Sequence, residues 1–66
     1  MYSVHLINIY GEGSYLSIRG KTKWKTKKIA IKHAKDIKQA IGKGSNYWST
    51  IVIVEVENEF GELVNF

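Results

Sequence analysis

The chain contains no cysteine, no proline and only one methionine. Without cysteine there is no disulfide or thiolate metal site to staple the fold, so packing alone must hold it, and nothing argues for secretion. There are no proline-rich linkers, low-complexity segments or internal repeats to interrupt the chain. Long apolar runs are missing as well: the longest is residues 51–54, far short of the ~20 residues of a membrane span. The N-terminus lacks the basic and apolar regions of a signal peptide, so the expectation is a soluble, cytoplasmic protein with no membrane partner. At 66 residues the chain makes one small domain, 1–66, and a domain of that size buries only roughly 60% of the surface its unfolded chain exposes. Stability is expected to be marginal or to lean on a partner.

Charge is abundant but segregated. All ten lysines and arginines lie between Arg19 and Lys43, with Asp36 the sole acid among them, while Glu55, Glu57, Glu59 and Glu62 crowd the tail; the net charge is +4. A cationic middle and an anionic tail speak to partners rather than to fold, because net charge governs association and solubility.

Residues 2–10 are rich in β-branched and aromatic side chains and run into Gly11-Glu12-Gly13, which predicts a strand entering a tight turn, with residues 14–19 as its antiparallel partner. Val4 and Leu6 share one face of that first strand and Ile7 and Ile9 the other, which a bulge near Leu6 and Ile7 or burial on both faces would explain. Ala30, Ala34, Ile37 and Ile41 then recur at helical spacing, with Lys28, Lys32, Lys35, Gln39 and Lys43 on the opposite side. Thr26 reads as the N-cap and Gly42 as the left-handed stop. Residues 42–46 read as a loop and residues 47–57 as the strongest strand. After a turn at residues 58–61 comes a last short strand, 62–66. The sum is an α+β domain, ββαββ, with one amphipathic helix on one face of a mainly antiparallel sheet.

Catalysis finds no foothold. His5 and His33 belong to no metal-ligand spacing and no nucleophile pair, and no cofactor motif is present. The tail glutamates, spaced two apart, suit a solubilising strand edge better than an acid–base pair, although Glu55, Glu57 and Glu59 offer weak purchase to a hard cation. Gly42-Lys43-Gly44-Ser45 lacks the spacing of a phosphate loop and leaves a helix C-terminus, whose partial charge repels phosphate.

The basic block is the informative feature. In residues 20–28, Lys21, Lys23, Lys25 and Lys27 alternate with Thr22, Trp24 and Thr26, so an extended backbone projects the ammonium groups from one side and Trp24 from the other. Lys28, Lys32 and Lys35 continue the charge along the helix. Such a surface is the footprint of a polyanion binder, and it lacks the interleaved acids of a merely solubilising face. Lys27 and Lys28 occupy the first helical turn, where the macrodipole disfavours cations, a mild sign of use. Trp24 is expected either in the core rim or as a stacking platform. Tyr15 and the exposed member of the Tyr47/Trp48 pair are candidate hot spots.

Tyr15-Leu16-Ser17, followed by Trp24-Lys25-Thr26-Lys27-Lys28-Ile29-Ala30 and then Ala34 and Ala40, resembles small accessory proteins of bacteriophages that infect low-GC bacteria. In those a YLS strand precedes a tryptophan and an alanine-marked helix. The resemblance spans residues 15–40 and carries no catalytic residues; it implies a host-takeover or counter-defence role in the host cytoplasm. The expected function is a non-enzymatic binding protein whose basic face engages nucleic acid. The alternative is an inhibitor or adaptor for an acidic host protein, and pairing of the basic middle with the acidic tail offers a route to a homodimer.

Overall fold

The computed structural model describes residues 1–44 and 46–66; Ser45, inside the loop expected at 42–46, lies outside the described residues. The elements are β1 (Ser3–Asn8), β2 (Gly13–Tyr15), α1 (Lys27–Gly42), β3 (Ile51–Glu57) and β4 (Leu63–Val64). The four strands form one antiparallel sheet in the order β2-β1-β3-β4, and α1 packs across one face of it. This is the α+β class that the alternation of strand and helix periodicity predicts.

Period-2 alternation decides which side of the sheet is dry. Val4 and Leu6 of β1 and Val54 and Val56 of β3 are buried against Ala30, Ala34 and Ile37 of α1, with Leu16 and Trp24 closing one flank. The small alanines at the contact bring the helix backbone close to the sheet. The opposite face, carrying Ser3, His5, Ile7, Ile53, Glu55 and Glu57 in register, has no layer over it among the described residues. Thr26 caps α1 as expected: its backbone is extended and its hydroxyl accepts from the Ile29 N–H at 3.4 Å.

All four strands are shorter than the stretches expected at 2–10, 14–19, 47–57 and 62–66, and the bulge and the left-handed stop after the helix also fall elsewhere. The second strand is only three residues long, because after the Leu16 N–H donates to the Val4 carbonyl the chain turns through Arg19 (φ 53°) and Gly20 (φ 77°), pairing Ile18 with Lys21. That reversal delivers Trp24, and not Ile18, as the backbone partner of Tyr2. The third strand starts at Ile51; residues 47–50 form a turn in which the Trp48 carbonyl accepts from the Ile51 N–H at 3.0 Å. The irregularity foreseen in the first strand falls at Ile7/Asn8, but the surplus residue is in β3: Ile7 pairs with Ile53 and Asn8 with Ile51, which throws Val52 out to 59% exposure. Gly42 is still helical, and the left-handed residue beyond the helix is Gly44 (φ 78°).

The structure also reveals a repeat where none was expected. Asn8-Ile9-Tyr10-Gly11-Glu12 and Asn58-Glu59-Phe60-Gly61-Glu62 are the same hairpin loop. In the first, the Asn8 Oδ1 accepts from the N–H groups of Tyr10 and Glu12, both at 2.9 Å, and its Nδ2 donates to the Glu12 carboxylate at 3.1 Å. In the second, Asn58 makes the matching bonds to Phe60, Glu62 and the Glu62 carboxylate at 2.9, 3.0 and 3.1 Å. Gly11 and Gly61 take the positive φ the turn requires, 80° and 77°. The sheet inherits an approximate twofold axis through the His5–Glu55 pair: Ser3–Glu57 maps onto Ile53–Ile7, and Val4–Val56 onto Val54–Leu6.

Candidate polyanion-binding surface

Lys28, Lys32 and Lys35 lie on the helix face opposite Ala30, Ala34 and Ile37, and all three are exposed. Lys21, Lys25 and Lys27 are exposed on the approach to the helix and its first turn. No acid occupies that first turn, so the unpaired N–H groups of the helix start add their partial positive charge to these lysines. Among the described residues, no lysine and no arginine forms an ion pair; the pairs present use the N-terminal amino group with Glu59, and His5 with Glu55 and Glu57. The cationic block is thus unneutralised within the fold.

Two of the expected site residues are placed elsewhere. Trp24 is only 5% exposed, hydrogen-bonded through its backbone to Tyr2 at 2.7 and 2.8 Å, with its ring 4.8 Å from that of His33. It belongs to the core and offers no face to a base. Lys23 lines a groove of about 430 Å³ with Tyr15, Glu57 and Glu59, on the side of the sheet away from the helix. The basic surface therefore does not run continuously from Lys21 through Lys27. On the helix side it is the stripe of Lys28, Lys32 and Lys35.

The aromatic candidates separate in the same way. Trp48 is half-buried against the core, whereas Tyr47 is 81% exposed and meets it edge-on at 4.6 Å. Tyr47 follows the C-terminal end of α1, remote along the helix from Lys27 and Lys28. Tyr15 stands on the open sheet face.

That open face holds a cluster that spacing alone does not reveal. The His5 Nδ1 lies 3.4 Å from a carboxylate oxygen of Glu55 and 3.4 Å from one of Glu57, and the Tyr15 ring is 5.1 Å from the imidazole. The Tyr15 hydroxyl donates to Glu57 at 3.3 Å. The negative charge of Glu57 beside it, with lesser effects of desolvation and of that hydrogen bond, holds the phenol's pKa above its ordinary value. Gly13 makes room for the imidazole: a Cβ there would come within 2.6 Å of the His5 Nε2. In the sequence His5 stands alone; register with β2 and β3 supplies its neighbours. Among the described residues no three His, Cys, Asp or Glu side chains are grouped to hold a metal ion, and Glu59 faces the N-terminal amino group instead of Glu55 and Glu57.

No family model, no curated protein and no solved structure matches the chain.

Proposed function

We propose that the chain is a non-enzymatic binding protein that engages nucleic acid through the lysines of its helix face and of the segment leading into it. The observation that carries this reading is the set of exposed cations, Lys21, Lys25, Lys27, Lys28, Lys32 and Lys35, with no carboxylate paired to any of them among the described residues. Six unpaired ammonium groups, with Lys27 and Lys28 in the first turn of the helix, produce a positive potential that attracts phosphate and releases its counterions. With Trp24 buried, the face has no aromatic platform among these lysines, so the mode it supports is contact with the backbone of a duplex and not stacking on splayed bases. Such contact is largely indifferent to sequence.

The same burial favours one alternative, an inhibitor or adaptor role on an acidic host protein, because carboxylates satisfy lysines without any stacking. The resemblance to phage accessory proteins, with its host-takeover or counter-defence role in the cytoplasm, is compatible with either partner. Fluorescence anisotropy with a short labelled duplex separates them. Lys28, Lys32 and Lys35 changed together to Glu should abolish binding, and Lys23→Ala, on the other side of the sheet, should leave it intact. Absence of duplex binding by the unaltered chain near about 50 mM salt refutes the nucleic-acid reading.

A further inference from the structure

Lysines on a phosphate backbone hold a duplex without reading it. Two residues of the same helix face do not fit that task. Asp36 and Gln39 are exposed on the side of α1 away from the sheet, one turn beyond Lys32 and Lys35 respectively. At about 100° per residue, Gln39 falls in the middle of the stripe made by Lys28, Lys32 and Lys35, and Asp36 lies about 40° to one side of Lys32. Along the axis, at about 1.5 Å per residue, they stand about 6 and 10 Å beyond Lys32. The outer face of α1 is therefore cationic for two turns and uncharged or acidic for the next.

Nothing among the described residues accounts for Asp36. It stands in the helix interior, where aspartate is among the weaker helix formers, and away from the first turn, where the dipole favours an acid. Lys32 precedes it by one turn, the less favourable order for such a pair, and among the described residues the Asp36 carboxylate forms no ion pair. Set against a phosphate strand, it would repel it. It is useful where no phosphate lies, over the edges of the bases. There a carboxylate accepts from the N4 amino group of cytosine, and a glutamine amide, with one acceptor and two donors, pairs with N6 and N7 of adenine. Both edges face the major groove of B-form DNA, which at about 12 Å wide admits a helix about 10–12 Å across. The deep, narrow major groove of A-form RNA does not present its bases to side chains.

We propose that α1 lies in the major groove of B-form DNA, with Lys28, Lys32 and Lys35 on the backbone and with Asp36 and Gln39 reading neighbouring base pairs, Asp36 a cytosine and Gln39 an adenine. This rests on the nucleic-acid reading of the lysine face and adds what lysines on phosphate do not supply, a sequence preference. The first two turns give affinity and the third gives discrimination.

The probe is a pool of short DNA duplexes of randomised sequence, incubated with the full chain, the bound fraction being sequenced. The unaltered chain should enrich a C·G pair and an A·T pair close together, each preferred at least about fivefold, the lower bound for one specific base contact. Asp36→Ala should lose the first preference and Gln39→Ala the second, each leaving the other in place. On duplex RNA, Gln39→Ala should bind as the unaltered chain does. Four results overturn the proposal: a bound pool as random as the input, a preference that survives both substitutions, Asp36→Ala tightening binding to every sequence alike, or Gln39→Ala weakening RNA binding as much as DNA binding. A random bound pool leaves backbone contact by the lysines standing, whereas a chain that binds no duplex near about 50 mM salt overturns both readings.

Discussion

Trp24 separates a structural from a ligand-binding reading of the basic segment, and truncating it tests the fold at its weakest margin. At 5% exposure, paired with Tyr2 and set against the His33 ring, the indole contributes one of the largest buried surfaces in the molecule. Trp→Ala at a buried site costs about 3–5 kcal/mol, the lost transfer energy plus the cavity left behind. At roughly 0.05–0.15 kcal/mol per residue, a chain of 66 residues holds a total stability of about 3–10 kcal/mol. Trp24→Ala should therefore remove from about a third of it to all of it. Trp24→Phe, which keeps an aromatic ring beside His33, should cost about 1–2 kcal/mol. Urea unfolding followed by far-UV circular dichroism reads both variants, and the slope against urea reports whether the same surface is still being exposed. A Trp24→Ala chain that unfolds at the wild-type midpoint but no longer binds a duplex would refute the placement of Trp24 in the core.

The two hairpin loops and the open sheet face give further tests. Asn8→Ala and Asn58→Ala each remove one side chain that accepts from two N–H groups and donates to a glutamate. Each should cost about 1–2 kcal/mol, the two agreeing within about 0.5 kcal/mol and adding in the double variant; a clearly unequal pair in urea titrations would break the equivalence of the loops. Glu57 raises the pKa of the Tyr15 phenol, so the stabilisation linked to it is present below the ordinary phenol value of about 10 and is lost as pH rises through the higher folded value. Followed by NMR of ¹³C-labelled tyrosine, Tyr15 should titrate above that ordinary value and Glu57→Gln should lower it; a Tyr15 titration unmoved by Glu57→Gln would contradict the contact.

What the sequence made legible depends on how local each signal is. The helix was readable because Ala30, Ala34, Ile37 and Ile41 repeat within one element and Thr26 sits where a cap is needed. The hairpin at Gly11 was readable from its turn chemistry. The start of β3 was not, because Tyr47, Trp48 and Thr50 favour strands intrinsically, yet this stretch is used for a turn between the helix and the sheet. The fate of Trp24 was open because it depends on a reversal at Arg19 and Gly20 that brings residue 24 to residue 2. The loop repeat is short and its flanks differ, so only the matched hydrogen bonds of Asn8 and Asn58 expose it. Lysine exposure at positions 28, 32 and 35 followed from helical phase. The His5, Tyr15, Glu55 and Glu57 cluster did not, since strand register alone unites residues from three strands.

Placing the acids and the lysines on a common body also alters the expectation for self-association. Glu55 and Glu57 project from the open sheet face, whereas Lys28, Lys32 and Lys35 lie on the outer side of the helix packed against the other face. A contact between the acidic side of one copy and the helix lysines of the next would be heterologous, closing into a ring or running on as an open chain of copies according to its rotation.

The central claim is that phosphate is what the helix lysines are for, and the salt dependence of duplex affinity tests it most directly. Contact with about four phosphates gives a slope of log K against log salt near −3.6, from roughly −0.9 per phosphate. Lys28→Ala, Lys32→Ala and Lys35→Ala should each flatten that slope by about one unit, and Lys23→Ala should leave it unchanged. A slope near zero, or one that Lys23→Ala flattens as much as the helix variants do, would contradict the account.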